Sequence, residues 1–254
     1  MIIENKFIKT PDGFNIYTEI RTPENGYKQT IVMLHGLTGT IDGGHQQLLQ
    51  LANTLCDNGF RVIRFNWRGH EKSSGIDLDV CPTSFQTDLN CVISSECQNI
   101  TYDLFGFSFG GFAVSQYLCT TKDTIDKIVL WGPALDPIGS SFRNPKEFCY
   151  QEIFEAEQNG SLEKDGYVLW KSKNWKISKD FIDQCDECDY KKALQQLSKR
   201  TLVIQGKNDR NVDYEFNKKY ASEYGFDYIE LDASHSLYEK IDEAIENTLK
   251  FFNK

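Results

Sequence analysis

The 254-residue chain is 40% hydrophobic and 26% charged, with a formal net charge of −9. This balance excludes a disordered chain and leaves room for a sizeable core, in the form of one large α/β domain carrying an insertion. The charge also argues against a nucleic-acid partner, which needs a basic stripe; the short basic run at 171–173 reads as a solvated face.

No run approaches the roughly 18 apolar residues of a membrane span. The first residues show neither a basic cluster ahead of an apolar run nor a small-residue cleavage site, so no membrane span and no export signal are expected. The expected setting is cytoplasmic, where the eight cysteines would stay reduced. Cys185 and Cys188, in CDEC, are the one pair with ligand-like spacing. With four histidines and no second close pair, a four-ligand zinc site is not expected, and no other metal or cofactor is implied.

In chain order, apolar β-branched runs alternate with helix-like stretches, the pattern of a largely parallel sheet covered on both faces. Eight strands are expected. Those at 3–8 and 14–21 are joined by Pro11, Asp12 and Gly13, which predicts a hairpin forming an antiparallel edge. The next fall at 30–35, 60–65, 100–105 and 125–131. Between them Gln46, Leu48, Leu49, Leu51, Ala52 and Leu55 lay a helical stripe that stops at Gly59, and a second helix is expected near 84–97.

After Trp131 the rhythm breaks. Residues 133–195 are rich in charge, aromatics and turn formers and read as a lid inserted into a core of 1–132 and 196–254. Within the lid, 166–171 and 174–177 predict a short hairpin around Ser172 and Lys173, with a helix near 179–184. The core pattern then resumes with strands at 201–206 and 227–231, a helix at 214–224 between them, and an amphipathic helix at 237–252.

The sharpest motif is Gly106-Phe107-Ser108-Phe109-Gly110-Gly111, which follows an apolar strand and precedes the helix-like FAVSQYL. It matches the nucleophile elbow G-x-S-x-G. A sharp strand-to-helix turn holds the serine in a strained backbone conformation and leaves no room beside it, hence glycine at 106 and 110. It also presents the hydroxyl at a helix N-terminus, where free N–H groups and the dipole favour negative charge.

A serine hydroxyl needs a base within reach. Of His35, His45, His70 and His235, the last lies in Ala233-Ser234-His235-Ser236, just past the final strand, where a loop at the carboxyl edge of the sheet can reach the elbow. His35-Gly36 and Arg68-Gly69-His70 read as structural. The base needs a buried carboxylate to fix its tautomer. Asp209, in Gly206-Lys207-Asn208-Asp209, follows the strand at 201–206 and precedes His235; Asp213 and Asp232 stand near the same loops, each with an alternative use as a cap.

Together, His35-Gly36-Leu37, Asn66-Trp67-Arg68-Gly69-His70, the elbow, Gly206-Lys207-Asn208-Asp209 and His235 resemble the α/β-hydrolase family over nearly the whole chain, in its order of Ser, Asp and His. The resemblance implies the α/β-hydrolase fold, a mostly parallel eight-stranded sheet with helices on both faces and a small inserted lid. It also implies an oxyanion hole built from the backbone N–H groups of Leu37 and Phe109. HGLTG, the compact insertion, and the segment from Gly166-Tyr167-Val168 to Asp180-Phe181 resemble the small-lid branch that includes cinnamoyl and feruloyl esterases. Two departures leave the loop geometry open: Asn66-Trp67 replaces the usual acidic residue, and Glu71 stands where glycine is common.

These readings predict a serine carboxylesterase-type hydrolase that acts on a small-molecule ester or thioester through an acyl-enzyme on Ser108. Carbon–carbon bond hydrolysis by the same residues, or an inert ligand-binding protein of the same fold, are the competing readings. Phe142, Trp170 and Trp175, with Phe148, Tyr150, Phe154 and Tyr167, are the aromatics expected at a substrate pocket, each with core packing as its alternative use. The acyl chain and the oligomeric state, a homodimer included, are left open.

Overall fold

The computed structural model of the chain describes residues 1–143, 151–197 and 200–254. Its apolar runs form one sheet of β1 (Ile2–Lys9), β2 (Asn15–Thr22), β3 (Gln29–Leu34), β4 (Phe60–Phe65), β5 (Tyr102–Phe107), β6 (Ile125–Trp131), β9 (Thr201–Gly206) and β10 (Asp227–Leu231). A separate antiparallel pair is formed by β7 (Tyr167–Trp170) and β8 (Trp175–Ser178). The main order is β1-β2-β4-β3-β5-β6-β9-β10, antiparallel at β1–β2 and β2–β4 and parallel elsewhere. This is the α/β-hydrolase architecture that the sequence predicts, with the hairpin of β1 and β2 as its antiparallel edge.

Side chains of a strand alternate between faces, and β3 shows how that divides the core. Ile31 and Met33 pack with Leu51, Leu55 and Phe251 from α1 (Gln47–Asp57) and α9 (Ile241–Phe252). Val32 and Leu34 belong to the opposite layer, with Phe85, Leu89, Phe112 and Ala221 from α2 (Pro82–Glu96), α3 (Phe109–Tyr117) and α8 (Tyr214–Tyr224). Both faces are therefore covered, which is why these strands read as continuous apolar runs rather than alternating ones.

Between β6 and β9 the described residues form α4 (Gln151–Gln158), α5 (Ser161–Asp165), the β7–β8 pair, α6 (Lys179–Glu187) and α7 (Tyr190–Gln196). The sequence predicts the pair and α6 but not α4, α5 or α7. These three bury only one or two residues each, Ile153 and Ala156, Leu162, and Ala193 and Leu194, too few to print a helical stripe. At two other places the boundaries shift. The predicted strand at 100–105 starts at Tyr102 and runs on to Phe107, because Asn99 takes a φ of 59° and the turn leaves Ile100 exposed. The last helix starts at Ile241, after Leu237 with a φ of 57° and a single 3-10 turn, Tyr238–Lys240.

The strand order reverses around β3, with β4 on one side and β5 on the other. In open parallel sheets, the crevice at the carboxyl ends of strands flanking such a reversal is where ligands bind. Leu37 follows β3 and Ser108 follows β5, so both stand at that crevice.

Candidate active site

Ser108 joins β5 to α3 with φ 56° and ψ −119°, a conformation that a residue with a side chain rarely adopts. Three hydrogen bonds hold it there: its N–H donates to Trp131 O at 2.9 Å, and its carbonyl accepts from Gly111 N at 2.9 Å and Ala134 N at 3.1 Å. The glycines on either side are required by contact. A Cβ at Gly106 would stand 2.7 Å from Gly110 O, and one at Gly110 would stand 2.3 Å from Leu34 O.

The loop after β3 lies against this turn, since a Cβ on Gly36 would meet the Ser108 Cβ at 2.8 Å. It carries Leu37, whose N–H, like that of Phe109 at the first position of α3, donates to no other group among the described residues. Two histidines brace the loop. His35 Nδ1 donates to Gly36 O at 2.8 Å, while its Nε2 accepts from Trp67 N at 3.4 Å. His70 Nδ1 donates to Arg68 O at 2.9 Å, and its Nε2 accepts from Thr38 N at 3.1 Å. Each backbone carbonyl fixes the tautomer, and each backbone donor requires a neutral ring nitrogen. Burial, joined by the neighbouring His70 ring, lowers His35 to about 3 against the pull of Gly36 O; burial lowers His70 to about 4 against that of Arg68 O.

The departures from the family pattern sit beside this loop. Asn66 Oδ1 accepts from Ile41 N at 3.1 Å, and its Nδ2 donates to Glu71 Oε2 at 3.2 Å. Glu71 has a φ of 40°, the left-handed region in which glycine is at ease. The loop is thus tied by a side-chain amide.

Asp209 follows β9, and His235 lies on the loop after β10. His235 Nδ1 donates to Asp209 Oδ2 at 2.7 Å, which leaves Nε2 as the ring's free nitrogen. The other lone pairs of the carboxylate are also used: Oδ1 accepts from Asn211 N at 2.7 Å and Val212 N at 3.0 Å, and Oδ2 from Gln205 Nε2 at 2.8 Å. Asp213 instead caps α8, and Asp232 accepts from Asn208 Nδ2.

Behind Asp209 lies a network that sequence reasoning missed. Buried Asn217 donates from Nδ2 both to Pro133 O and to Gln205 Oε1, at 2.8 Å each. Because Gln205 Oε1 is the acceptor there, its Nε2 must face Asp209, so the amide orientation is determined. The one signal was a glutamine in an otherwise apolar buried strand, a group that cannot be left without partners.

Ser108, His235 and Leu37 line one cleft of about 500 Å³, together with Trp170, Lys173, Arg210, Asn208 and Asn211. No hydrogen bond joins the Ser108 hydroxyl to His235, a distance that commonly tightens only when substrate is present. Of the predicted aromatics, Trp170 reaches the cleft. Phe142 does not: it is 2% exposed and stacks on Phe109 with ring centroids 5.6 Å apart. Trp175 does not either, since it packs over His70 at 4.6 Å. Both are corrections, and their cause is that these two rings seal the segment after β6 onto the main core, Phe142 against Phe109 and Trp175 against His70. Phe154 is exposed and Tyr167 half-buried, neither at the cleft, while Phe148 and Tyr150 lie outside the described residues.

Elsewhere, Cys185 is fully buried and its thiol is pushed well up by burial; burial likewise takes Cys188 to about 11. Among the described residues no group of three or more His, Cys, Asp or Glu could hold a metal ion, and no helix is long and apolar enough to cross a membrane. A second missed feature is Arg68, which donates to Asp88 from its backbone N, Nε and Nη2 at 2.9, 3.0 and 2.7 Å and to Asp12 from Nη1 at 2.6 Å.

A family profile described as alpha/beta hydrolase fold matches residues 29–148. A 2-hydroxy-6-oxononadienedioate/2-hydroxy-6-oxononatrienedioate hydrolase of Pseudomonas putida is 25% identical, over 82% of this chain and 81% of its own. Among solved structures, an esterase from Exiguobacterium antarcticum superposes with a TM-score of 0.75 at 21% identity, covering 99% of this chain and 100% of that one. Est1E of Butyrivibrio proteoclasticus, solved with ferulic acid bound, gives a TM-score of 0.78 at 17% identity and 97% coverage of each. The sheet order, the crevice at its reversal and these likenesses agree: the chain has the α/β-hydrolase fold, with esterases among its structural neighbours.

Proposed function

We propose that the protein is a serine hydrolase that cleaves carboxylic esters or thioesters through an acyl-enzyme on Ser108. The observation that carries this reading is the 2.7 Å bond between His235 and a fully engaged Asp209, at the cleft to which the strained Ser108 also belongs. With Nδ1 committed to Asp209, Nε2 takes the Ser108 proton as the hydroxyl attacks the acyl carbonyl. The tetrahedral oxygen is met by the N–H groups of Leu37 and Phe109, and a preorganised donor of this kind contributes about 3 kcal/mol. His235 then protonates the leaving group and activates the water that frees Ser108.

Residues 133–195 act as the lid in this reading, because the end of β7 and the turn after it supply Trp170 and Lys173 to the cleft. Seven described cysteines are unbridged, which supports a reducing, cytoplasmic setting. The Pseudomonas relative favours a second reading, carbon–carbon bond hydrolysis by the same three residues.

Labelling by a fluorophosphonate probe, lost in Ser108→Ala, tests the nucleophile; a folded wild-type protein that resists the probe points to an inert ligand binder. A panel of aryl esters, thioesters and vinylogous diketones then separates the two chemistries. Turnover of diketones alone would replace the esterase reading with the second.

A further inference from the structure

The charged side chains that line the cleft are all cationic. Two of its lining side chains, Lys173 and Arg210, are cations and none is a carboxylate, in a chain with 37 acidic against 28 basic residues. The bias therefore runs against the composition. Carboxylates on the neighbouring loops are turned to other work: Asp232 Oδ1 accepts from Asn208 Nδ2 at 3.0 Å, and Glu239 Oε2 accepts from Ser234 N and Oγ at 3.1 and 3.0 Å. Among the described residues neither cation forms an ion pair.

Both side chains are exposed and are presented by turns that the fold fixes. Arg210 is held between Asp209 and Asn211, whose N–H is itself bonded to the Asp209 carboxylate, so its backbone is fixed by the same group that orients His235. Lys173 occupies the turn between β7 and β8, with Nζ 5.9 Å from the ring centroid of Trp170, another wall of the cleft. One cation thus comes from the core and one from the insertion, both at the cleft that holds Ser108. Walls of low dielectric concentrate the field of such charges on whatever enters.

We propose that the substrate carries an anionic group, a carboxylate or a phosphate, remote from the scissile bond and held by Arg210 and Lys173. This rests on the ester and thioester reading of the site. The anion belongs either to the acyl part or to the leaving group, and two matched pairs tell these apart. In the first, 4-nitrophenyl hexanoate is compared with mono-4-nitrophenyl adipate, which differs by a terminal carboxylate. In the second, the hexanoyl thioester of neutral N-acetylcysteamine is compared with that of phosphate-bearing coenzyme A.

An exposed ion pair is worth up to a factor of about five, so two predict a preference of about tenfold in kcat/KM for the anionic member of one pair. That preference should shrink as salt rises. It should fall to near unity in Arg210→Gln/Lys173→Gln, persist in Arg210→Lys, and invert in Arg210→Glu/Lys173→Glu. The readout is a ratio within one protein, so a general loss of activity cancels. Wild-type ratios near unity in both pairs, with the neutral members still turned over, would overturn the proposal and leave the esterase reading standing; so would a preference that survives charge reversal. No turnover of any of the four compounds would remove the esterase reading and the proposal with it.

Discussion

Gln205 Nε2 and His235 Nδ1 donate to the same oxygen, Asp209 Oδ2, at 2.8 and 2.7 Å. The glutamine is fixed in turn by Asn217, so the carboxylate that orients His235 is itself oriented by two buried amides. Gln205→Leu removes one donor from Asp209 and leaves Asn217 short of one acceptor.

The expected outcome is a fall in kcat of about ten- to a hundredfold with KM little changed, because a small misplacement of the proposed base costs on this order. Stability should drop by roughly 1–3 kcal/mol for the buried groups left without partners. Asn217→Leu should show a weaker version of both effects. Asp209→Asn, which reverses the polarity toward His235, should lose on the order of 10⁴ in kcat while keeping the fold. Steady-state kinetics beside urea unfolding checks all three, and an unchanged kcat in Gln205→Leu would refute the positioning role.

The two bracing histidines predict a pH dependence of stability. Each ring takes up a proton in the unfolded chain near pH 6.5, but in the folded chain only near 3 for His35 and 4 for His70. Between those values the unfolded chain binds more protons. The contribution of these two rings is therefore full above pH 6.5 and falls as the pH drops, by up to about 1.4 kcal/mol per pH unit for each ring, while Asp103, whose carboxyl burial raises to about 7, contributes in the opposite sense over the same range. His70→Gln keeps a donor toward Arg68 O and an acceptor toward Thr38 N without titrating, and should change the slope between pH 6.5 and 5 by one ring's share, up to about 1.4 kcal/mol per pH unit, relative to the wild type. Equal slopes in variant and wild type would assign the acid sensitivity elsewhere.

Arg68 is 4% exposed and Asp88 fully buried, so each leaves an uncompensated charge if the other is removed. Arg68→Leu should cost about 3–5 kcal/mol, read as a lower urea midpoint. Asp12→Asn, at the solvent side of the same guanidinium, should cost less than about 1 kcal/mol. Comparable losses in the two variants would mean that the pairing, rather than its burial, sets the effect.

Much of this molecule was legible before its coordinates. Strands at 60–65, 125–131, 201–206 and 227–231 and the helix at 214–224 fall where the sequence pattern puts them; the central strand at 201–206, covered on both faces, is buried throughout. The elbow was legible for a steric reason, since only glycine fits at 106 and 110. What stayed hidden was of two kinds. Helices such as α7 bury too few side chains to leave a stripe, and the aromatics of the insertion cannot declare from sequence whether they face ligand or one another; Phe142 and Trp175 turned inward. Buried polar pairs, Gln205 with Asn217 and Arg68 with Asp88, join residues 12 and 20 positions apart, and no local pattern links them.

The backbone twist at Ser108 has a last consequence, for the protein's room to change. A side chain at φ 56° and ψ −119° sits in a region that glycine alone occupies at ease, at a cost of about 1–3 kcal/mol. Ser108→Gly should therefore melt at a higher temperature than the wild type, even as it loses the proposed nucleophile; a lower melting temperature would show the kink to be relaxed. Selection for robustness alone would drift toward glycine at this position, so a serine kept there is held by something other than stability, as the proposed function requires.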